Sequence, residues 1–184
     1  AGITADGATL AYGKVNNVTV TATKGDAYGL AAINGGTLSG DANSAVRNIT
    51  VTANTADNAA YGVYAASGST VKGAAAGSLT VESAGAGVGI SAADNSSVSV
   101  SADSLTVSAD YAAGIAADSS TVDAKLGSLK AASENGTATG ITAANNGSVS
   151  ADLESLTAES ASGAATGISA SSGKASTINV ANGL

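Results

Sequence analysis

The sequence contains no Cys, Pro, Met, Trp, Phe or His, and aromatic residues make up only 3% of it. Without cysteine there are no disulfides and no thiol chemistry, and without histidine the commonest general base and zinc ligand is missing. The absence of proline leaves all backbone N–H groups able to donate, as a continuous sheet requires. A core without large aromatics has to be narrow and filled by Val, Ile, Leu and Ala.

Charge is also scarce, because charged residues make up 11% of the chain and the net charge is −7. The few Lys and Arg residues are scattered, so no basic cluster could neutralise phosphates, and we expect no nucleic-acid partner. No apolar run reaches the roughly 18 residues that span a bilayer, so we expect no membrane insertion. The sequence lacks an initiator Met and a signal-peptide pattern, which predicts a processed chain or a segment of a longer one.

A repeated phrase organises the chain. It opens with glycine, continues with an aliphatic residue, and has an alanine two residues further on. The opening glycines are Gly2, Gly29, Gly62, Gly89, Gly114, Gly140 and Gly167. The aliphatic residues are Ile3, Leu30, Val63, Ile90, Ile115, Ile141 and Ile168, and the alanines are Ala5, Ala32, Ala65, Ala92, Ala117, Ala143 and Ala170. Repeats of this length are typical of solenoids, propellers and arrays.

Two further apolar positions recur within the phrase. The second is occupied by Leu10, Leu38, Val71, Val98, Val122 and Val149. The third is occupied by Val18, Ile49, Leu79, Leu105, Leu129 and Leu156, each preceded by Asn or Ser (Asn17, Asn48, Ser78, Ser104, Ser128 and Ser155). Around these positions apolar and polar residues alternate, which predicts half-buried strands, whereas helical spacing of apolar residues is absent.

The pattern predicts an all-β fold, a parallel β-helix (β-solenoid) of about seven coils, each of roughly 26 residues with three short strands. We expect residues 1–184 to form a single solenoid domain. The alanine position predicts a tight corner, and the Asn/Ser position predicts a ladder of side-chain hydrogen bonds. The second coil is the longest, which predicts small loops near residues 41–47 and 52–60, while Ile178, Val180 and Leu184 fit no column.

Three groups of side chains are candidates for binding. Asp6, Asp94 and Asp118 occupy comparable turns and could bind calcium, but turn residues that bond their own backbone are the favoured interpretation. Regular Thr-x-Thr pairs, Thr19/Thr21 and Thr50/Thr52, are typical of ice-binding solenoids, although Glu82, Lys130 and Glu159 interrupt the same columns. Tyr28 and Tyr61 precede successive coil glycines, which predicts local stacking and, less strongly, a sugar-binding platform.

The outward positions after the first aliphatic residue offer little chemistry. They are Thr4, Ala31, Tyr64, Ser91, Ala116, Thr142 and Ser169. Polysaccharide-cleaving β-helix enzymes resemble this architecture but carry clustered acids with Arg or Lys on one strand face. We therefore expect no enzyme, with no catalytic, cofactor-binding or metal residues.

The phrase Gly-Ile-x-Ala, followed by Ser-x-Val and Ser-Leu-Thr-Val, resembles the passenger regions of bacterial autotransporter and haemagglutinin-type surface adhesins. The resemblance covers essentially the whole chain and is one of repeat style and composition. It implies a right-handed β-helix, secreted to the bacterial cell surface, that acts as a stalk or as a binding surface for host or matrix surfaces and glycans.

A second hypothesis is a structural subunit that stacks end to end into an extracellular filament. Gly2-Ile3-Thr4-Ala5 already follows the repeat, and residues 176–180 still alternate as a strand. Open strand edges favour pairing with another chain, so we expect further coils or another copy to cover both ends.

Overall fold

The structure, a computed structural model, describes residues 1–40, 45–171 and 176–181. The first seven strands are β1 (Ile3–Asp6), β2 (Thr9–Tyr12), β3 (Val15–Ala22), β4 (Ala27–Ile33), β5 (Thr37–Gly40), β6 (Val46–Ala53) and β7 (Ala59–Ala65). The others are β8 (Thr70–Ala93), β9 (Ser97–Asp118), β10 (Thr121–Ser133), β11 (Ala138–Ala144), β12 (Ser148–Ser160), β13 (Ala165–Ser171) and β14 (Thr177–Ala181). Among the residues described, no helix is long and apolar enough to cross a membrane.

The predicted all-β parallel solenoid is confirmed. Among the described residues every strand pairing is parallel and joins equivalent parts of successive coils, and the solenoid makes about 6 turns. The seven aliphatic residues that begin with Ile3 are register partners in one unbroken column, and so are the seven alanines that begin with Ala5. The second and third apolar columns also pair as predicted. The right-handed winding stays a prediction.

The prediction of three short strands per coil is wrong for the middle of the chain. β8 has 24 residues and β9 has 22, because each continues through two corners without losing its backbone pairing. Register shifts between Val71 and Ala74 and between Ser83 and Ala86 mark where β8 bends. A bulge of this kind turns a strand while most of its hydrogen bonds persist, so the corner need not end the strand.

The interior is a continuous stack of aliphatic side chains. Ile90, Ile115, Leu105 and Leu129 each expose 0 or 1% of their surface. Because adjacent coils are about 4.8 Å apart, each side chain contacts the same column position of the coils on both sides. The buried core therefore extends along the solenoid from Ala5 to Leu153.

In the first six coils, from Gly2 to Gly140, the opening glycine lies where the backbone approaches the core too closely for a side chain, whereas a Cβ on Gly167 would meet no atom closer than 4.0 Å. A Cβ atom on Gly89 would lie 2.6 Å from the carbonyl oxygen of Gly114 and 2.6 Å from Leu105 Cδ1. The equivalent Cβ on Gly114 would lie 2.5 Å from the carbonyl oxygen of Gly140. Because the following residue, such as Ile90, also points inward, two successive positions face the core and the first has room only for hydrogen.

A left-handed turn follows the six corner alanines from Ala5 to Ala143. The residue two positions after the alanine has a positive φ in six coils. These six residues are Gly7, Asn34, Ser67, Asp94, Ser119 and Asn145. Gly, Asn and Asp tolerate this conformation better than β-branched residues do. The alanines from Ala5 to Ala143 are buried, which agrees with a tight corner.

The predicted ladder of side-chain hydrogen bonds is present in the first three coils of the Asn/Ser column. The Asn48 amide donates to Asn17 Oδ1 at 2.9 Å, and the Ser78 hydroxyl donates to Asn48 Oδ1 at 2.8 Å. Residues 54–58 form a turn between β6 and β7, inside the predicted loop at 52–60. The prediction of a loop at 41–47 is wrong for Val46 and Arg47, which belong to β6, and residues 41–44 lie outside the described residues.

The structure also places two residues that the sequence pattern could not. Ile178 pairs with Val149 and so extends the second apolar column, and Val180 pairs with Ala151. Leu184 lies outside the described residues.

We predict that Gly89→Ala destabilises the fold by about 1–3 kcal/mol, because the added methyl group overpacks the core. Gly13→Ala is the matched control, since a Cβ there meets no atom within 4 Å. That variant should stay within about 0.5 kcal/mol of the wild type. The measurement is urea unfolding followed by circular dichroism, and equal midpoints for the two variants would contradict the assigned role of the glycine column.

Candidate functional site

Three of the chain's five tyrosines lie together on the outer surface of the second and third coils. Tyr28 and Tyr61 are register partners on β4 and β7, directly before the column glycines. Tyr64 lies further along β7 and is half-buried like the other two. We call Tyr28, Tyr61 and Tyr64 the tyrosine patch.

The inward step at the glycine column explains why Tyr61 and Tyr64 share a face. Strict alternation would place residues three apart on opposite faces of a strand. Here Gly62 and Val63 both point inward, because a Cβ on Gly62 would lie 2.7 Å from Leu79 Cδ1 and Val63 is fully buried. The residues on either side of this pair therefore both face outward.

The rings pack closely against one another. Tyr28 and Tyr61 are stacked, with ring centroids 5.2 Å apart and planes within 5° of parallel. Tyr64 is tilted by 45° to Tyr28 and by 47° to Tyr61, with centroid distances of 5.1 and 4.8 Å. These are favoured geometries for aromatic pairs, each contributing about 0.5–1.5 kcal/mol beyond burial. The predicted stacking is confirmed, and Tyr64 is a member that the sequence prediction did not include.

Asp26 fixes one edge of the patch. The Tyr28 hydroxyl donates to Asp26 Oδ2 at 3.2 Å, and the Ala59 backbone N–H donates to Asp26 Oδ1 at 2.8 Å. The carboxylate thus joins the second coil to the third and holds the Tyr28 phenol in place. Asp26 itself is exposed to solvent.

Burial raises the pKa of all three phenols above their ordinary value. For Tyr28 the negative charge of Asp26 and the hydrogen bond to it add to the increase. Asp94 and Asp26 act in the same direction on Tyr64. The patch is therefore neutral at physiological pH, with acidic groups at its edge.

Asp6, Asp94 and Asp118 lie at one corner of the solenoid, as predicted, but in two columns. Asp6 and Asp118 occupy equivalent positions, and Asp94 is one residue further along. Asp6 Oδ1 accepts a bond of 2.8 Å from the Asn34 amide. Asp118 Oδ1 accepts one of 2.9 Å from Asn145.

These bonds correct one detail of the prediction. The carboxylates of Asp6 and Asp118 each bond a side-chain amide of the next coil, where the sequence interpretation expected a bond to their own backbone. Within the described ranges, no group of three or more His, Cys, Asp or Glu side chains could hold a metal ion.

The threonine columns also pair as predicted. Thr19, Thr50, Thr80 and Thr106 form one column and Thr21 pairs with Thr52. Glu82 follows Thr52 in the second column, and Lys130 follows Thr106 in the first. Lys130 Nζ lies 2.8 Å from Glu159 Oε2, so a charged pair interrupts the hydroxyl surface.

The structure brings together two acidic grooves that the sequence analysis did not identify. One is lined by Asp103, Lys125, Asp152 and Glu154, and the other by Glu82, Asp110 and Glu134. In the first groove Lys125 and Asp152 are register partners, so opposite charges lie side by side on neighbouring strands. The equivalent positions of Lys125 and Asp152 in successive repeats could have indicated this groove, but the prediction followed only the apolar columns.

The chain was also compared with known proteins. No family model, no curated protein and no solved structure matches it.

We predict that the tyrosine patch makes the protein less stable in alkali. The native state keeps its phenolic protons at a pH where the unfolded chain loses them. The phenols therefore contribute their full stabilisation below a pH of about 10, and the free energy of unfolding falls as the pH rises further. Tyr28→Phe removes one of these groups and should make that fall less steep. The measurement is the melting temperature of both proteins between pH 8 and pH 11.

The contributions of the lysines cancel in that comparison, because both proteins carry the same ones. Parallel curves for the two proteins across the whole pH range would contradict the predicted effect of Tyr28.

Proposed function

We propose that this protein is a non-enzymatic structural and adhesive solenoid at an extracellular surface, and that the tyrosine patch is its binding surface. The observation that carries the proposal is the gathering of three of five tyrosines into one outward-facing patch. Tyrosine is enriched at binding surfaces because it combines a large apolar ring with a polar hydroxyl at low entropic cost.

The columns that contain the patch support this interpretation. In the column of Tyr28 and Tyr61 the later coils carry Val88, Ala113 and Thr139. The position of Tyr64 is occupied in neighbouring coils by Ala31 and Ser91. Because smaller residues satisfy the same structural positions, the fold itself does not require tyrosine there.

The surrounding architecture suits a stalk or a display surface. Nearly all inward positions are aliphatic or small, so the binding chemistry of the protein has to lie on the outer face. That face is mostly Ser, Thr, Asn and Ala on a stack of paired strands. A regular sheet of this kind holds side chains at fixed spacing, which lowers the ordering cost when a partner binds.

The resemblance to autotransporter and haemagglutinin-type passenger regions adds the location and the kind of partner. On this proposal the solenoid is secreted, stands at the cell surface and contacts host or matrix surfaces. The acidic grooves are then part of the solvated outer face, where Lys125 and Asp152 lie side by side as register partners.

We predict that beads coated with the protein adhere to at least one member of a panel of cultured cells, immobilised matrix proteins and neutral or acidic glycans. Retention should exceed that of albumin-coated beads several-fold. The triple variant Tyr28→Thr, Tyr61→Thr and Tyr64→Thr should lose this excess, because it removes the rings. Threonine keeps strand propensity and occurs at Thr139 and Thr142 in the same two columns.

Tyr111→Thr is the matched control, since Tyr111 is 62% exposed and lies outside the patch. Circular dichroism establishes that each variant is folded. Absence of retention on every surface, or equal retention of the triple variant and the wild type, would overturn the proposal.

A second candidate function is a subunit of an end-to-end filament. Ile168 is 43% exposed, whereas its column neighbour Ile141 is fully buried, because the described residues place no coil over β13. Either further coils or another copy would cover this edge.

We predict that the 184-residue chain shows sedimentation coefficients that rise with concentration, and a single concentration-independent monomer would contradict this candidate.

A further inference from the structure

We propose that the tyrosine patch, together with the carboxylate of Asp26, binds the guanidinium group of an arginine side chain on a basic segment of a partner protein. This inference rests on the proposed adhesive function and names the chemistry that the adhesive surface recognises. Three features of the patch carry it, namely the packed rings, the fixed carboxylate and the sign of the surrounding charge.

The rings provide an aromatic surface large enough for a planar cation. Their centroids lie within 4.8–5.2 Å of one another, and all three rings are partly exposed. A guanidinium group stacks over the negative face of an aromatic ring, and desolvation strengthens the attraction. A set of three rings in contact offers such a face over two adjacent coils.

The Asp26 carboxylate is already positioned before any ligand arrives. Its two oxygens accept from Tyr28 Oη and from the Ala59 N–H, and each carboxylate oxygen has a second acceptor site. A guanidinium group can donate to such a carboxylate while its plane stacks on a neighbouring ring. Because the hydrogen bonds hold the acid in place, little side-chain freedom is lost on binding.

The charge around the patch favours a cation. The negative charge of Asp26 raises the pKa of the Tyr28 and Tyr64 phenols, and that of Asp94 raises the pKa of the Tyr64 phenol. The whole chain has a net charge of −7, so the long-range field also attracts basic partners. A neutral sugar would use the rings but would gain nothing from this field.

Arginine fits the site better than lysine does. The guanidinium group is planar and delocalised, so one group can stack on a ring and donate to a carboxylate together. The lysine ammonium is a compact and strongly hydrated charge, which loses more hydration when it contacts a ring. The site therefore predicts a preference for arginine over lysine in an otherwise identical peptide.

The test is a titration of the full chain with a short acetylated and amidated Gly/Arg peptide, followed by calorimetry and by NMR of the tyrosine ring signals. Two matched peptides replace arginine with lysine or with citrulline, which keeps the planar shape and most donors but has no charge. We expect saturable shifts of the tyrosine signals with the arginine peptide and weaker binding of the lysine peptide. The citrulline peptide should bind at least ten-fold more weakly, and added salt should weaken arginine binding.

Paired variants separate the local site from general electrostatics. Asp26→Asn and Asp123→Asn remove the same charge, but Asp123 lies on the outer face of β10, away from the patch. We expect Asp26→Asn to weaken binding of the arginine peptide several-fold and Asp123→Asn to leave it nearly unchanged. Asp26→Asn keeps an acceptor for the Ala59 N–H, so it should fold, and Tyr61→Thr provides a second variant that removes a ring.

Equal binding of the arginine and citrulline peptides, or equal losses in the two Asp variants, would overturn the inference. So would a neutral oligosaccharide that shifts the tyrosine signals when the arginine peptide does not. In each of these cases the bead adhesion experiment still decides the proposed function by itself. Conversely, binding of the arginine peptide without bead retention on any surface would support the site and contradict the adhesive role.

Discussion

The solenoid depends on the close approach of successive coils at the glycine column. Parallel strands pair at about 4.8 Å, so the backbone of one coil forms the wall against which the next coil packs. Where the chain turns inward before the aliphatic column, the carbonyl oxygen of the next coil and the Val, Ile or Leu side chain of the third column leave no room for a Cβ atom, from Gly2 to Gly140. Glycine at this point allows the bend, and the bend in turn places the whole aliphatic column in the core.

The corner after the buried alanine is formed by a different kind of residue. After the buried alanine the chain turns in the left-handed region, at residues such as Asn34, Asp94 and Asn145. Asparagine and aspartate also bond across coils there, as Asn34 bonds Asp6 and Asn145 bonds Asp118. The Asn residues that adopt this backbone conformation, Asn34 and Asn145, therefore also link neighbouring coils.

The inner columns could be predicted because each coil repeats the environment of the last. Seven glycines, seven aliphatic residues and seven alanines were assigned from spacing alone, and their register is confirmed. Strand lengths could not be predicted in the same way. Whether a corner ends a strand or bends it depends on hydrogen bonds to the neighbouring coil, as in β8, and a one-coil pattern does not contain that information.

The outer surface was harder to predict, since it has no repeated environment. Tyr64 joins Tyr28 and Tyr61 only because Gly62 and Val63 both face inward, which breaks the alternation that the sequence interpretation assumes. The acidic groove around Asp103 and Glu154 likewise lies where the strand pairing is interrupted, between the Leu126–Leu153 and Ser128–Ser155 pairs, and the spacing of apolar residues does not show that.

The same asymmetry between inner and outer positions bears on function. A repeat whose inner residues are fixed by packing can change its outer residues one coil at a time without altering the fold. The columns of the tyrosine patch show this directly, because they carry tyrosine in the second and third coils and Val, Ala, Ser or Thr at equivalent positions elsewhere. A tyrosine ring is larger than the Val, Ala, Ser or Thr side chains that occupy the equivalent positions of the other coils. On the proposed function, a partner accounts for the concentration of tyrosines at one place on an otherwise small-residue surface, and the carboxylate of Asp26 beside them favours a partner that carries positive charge.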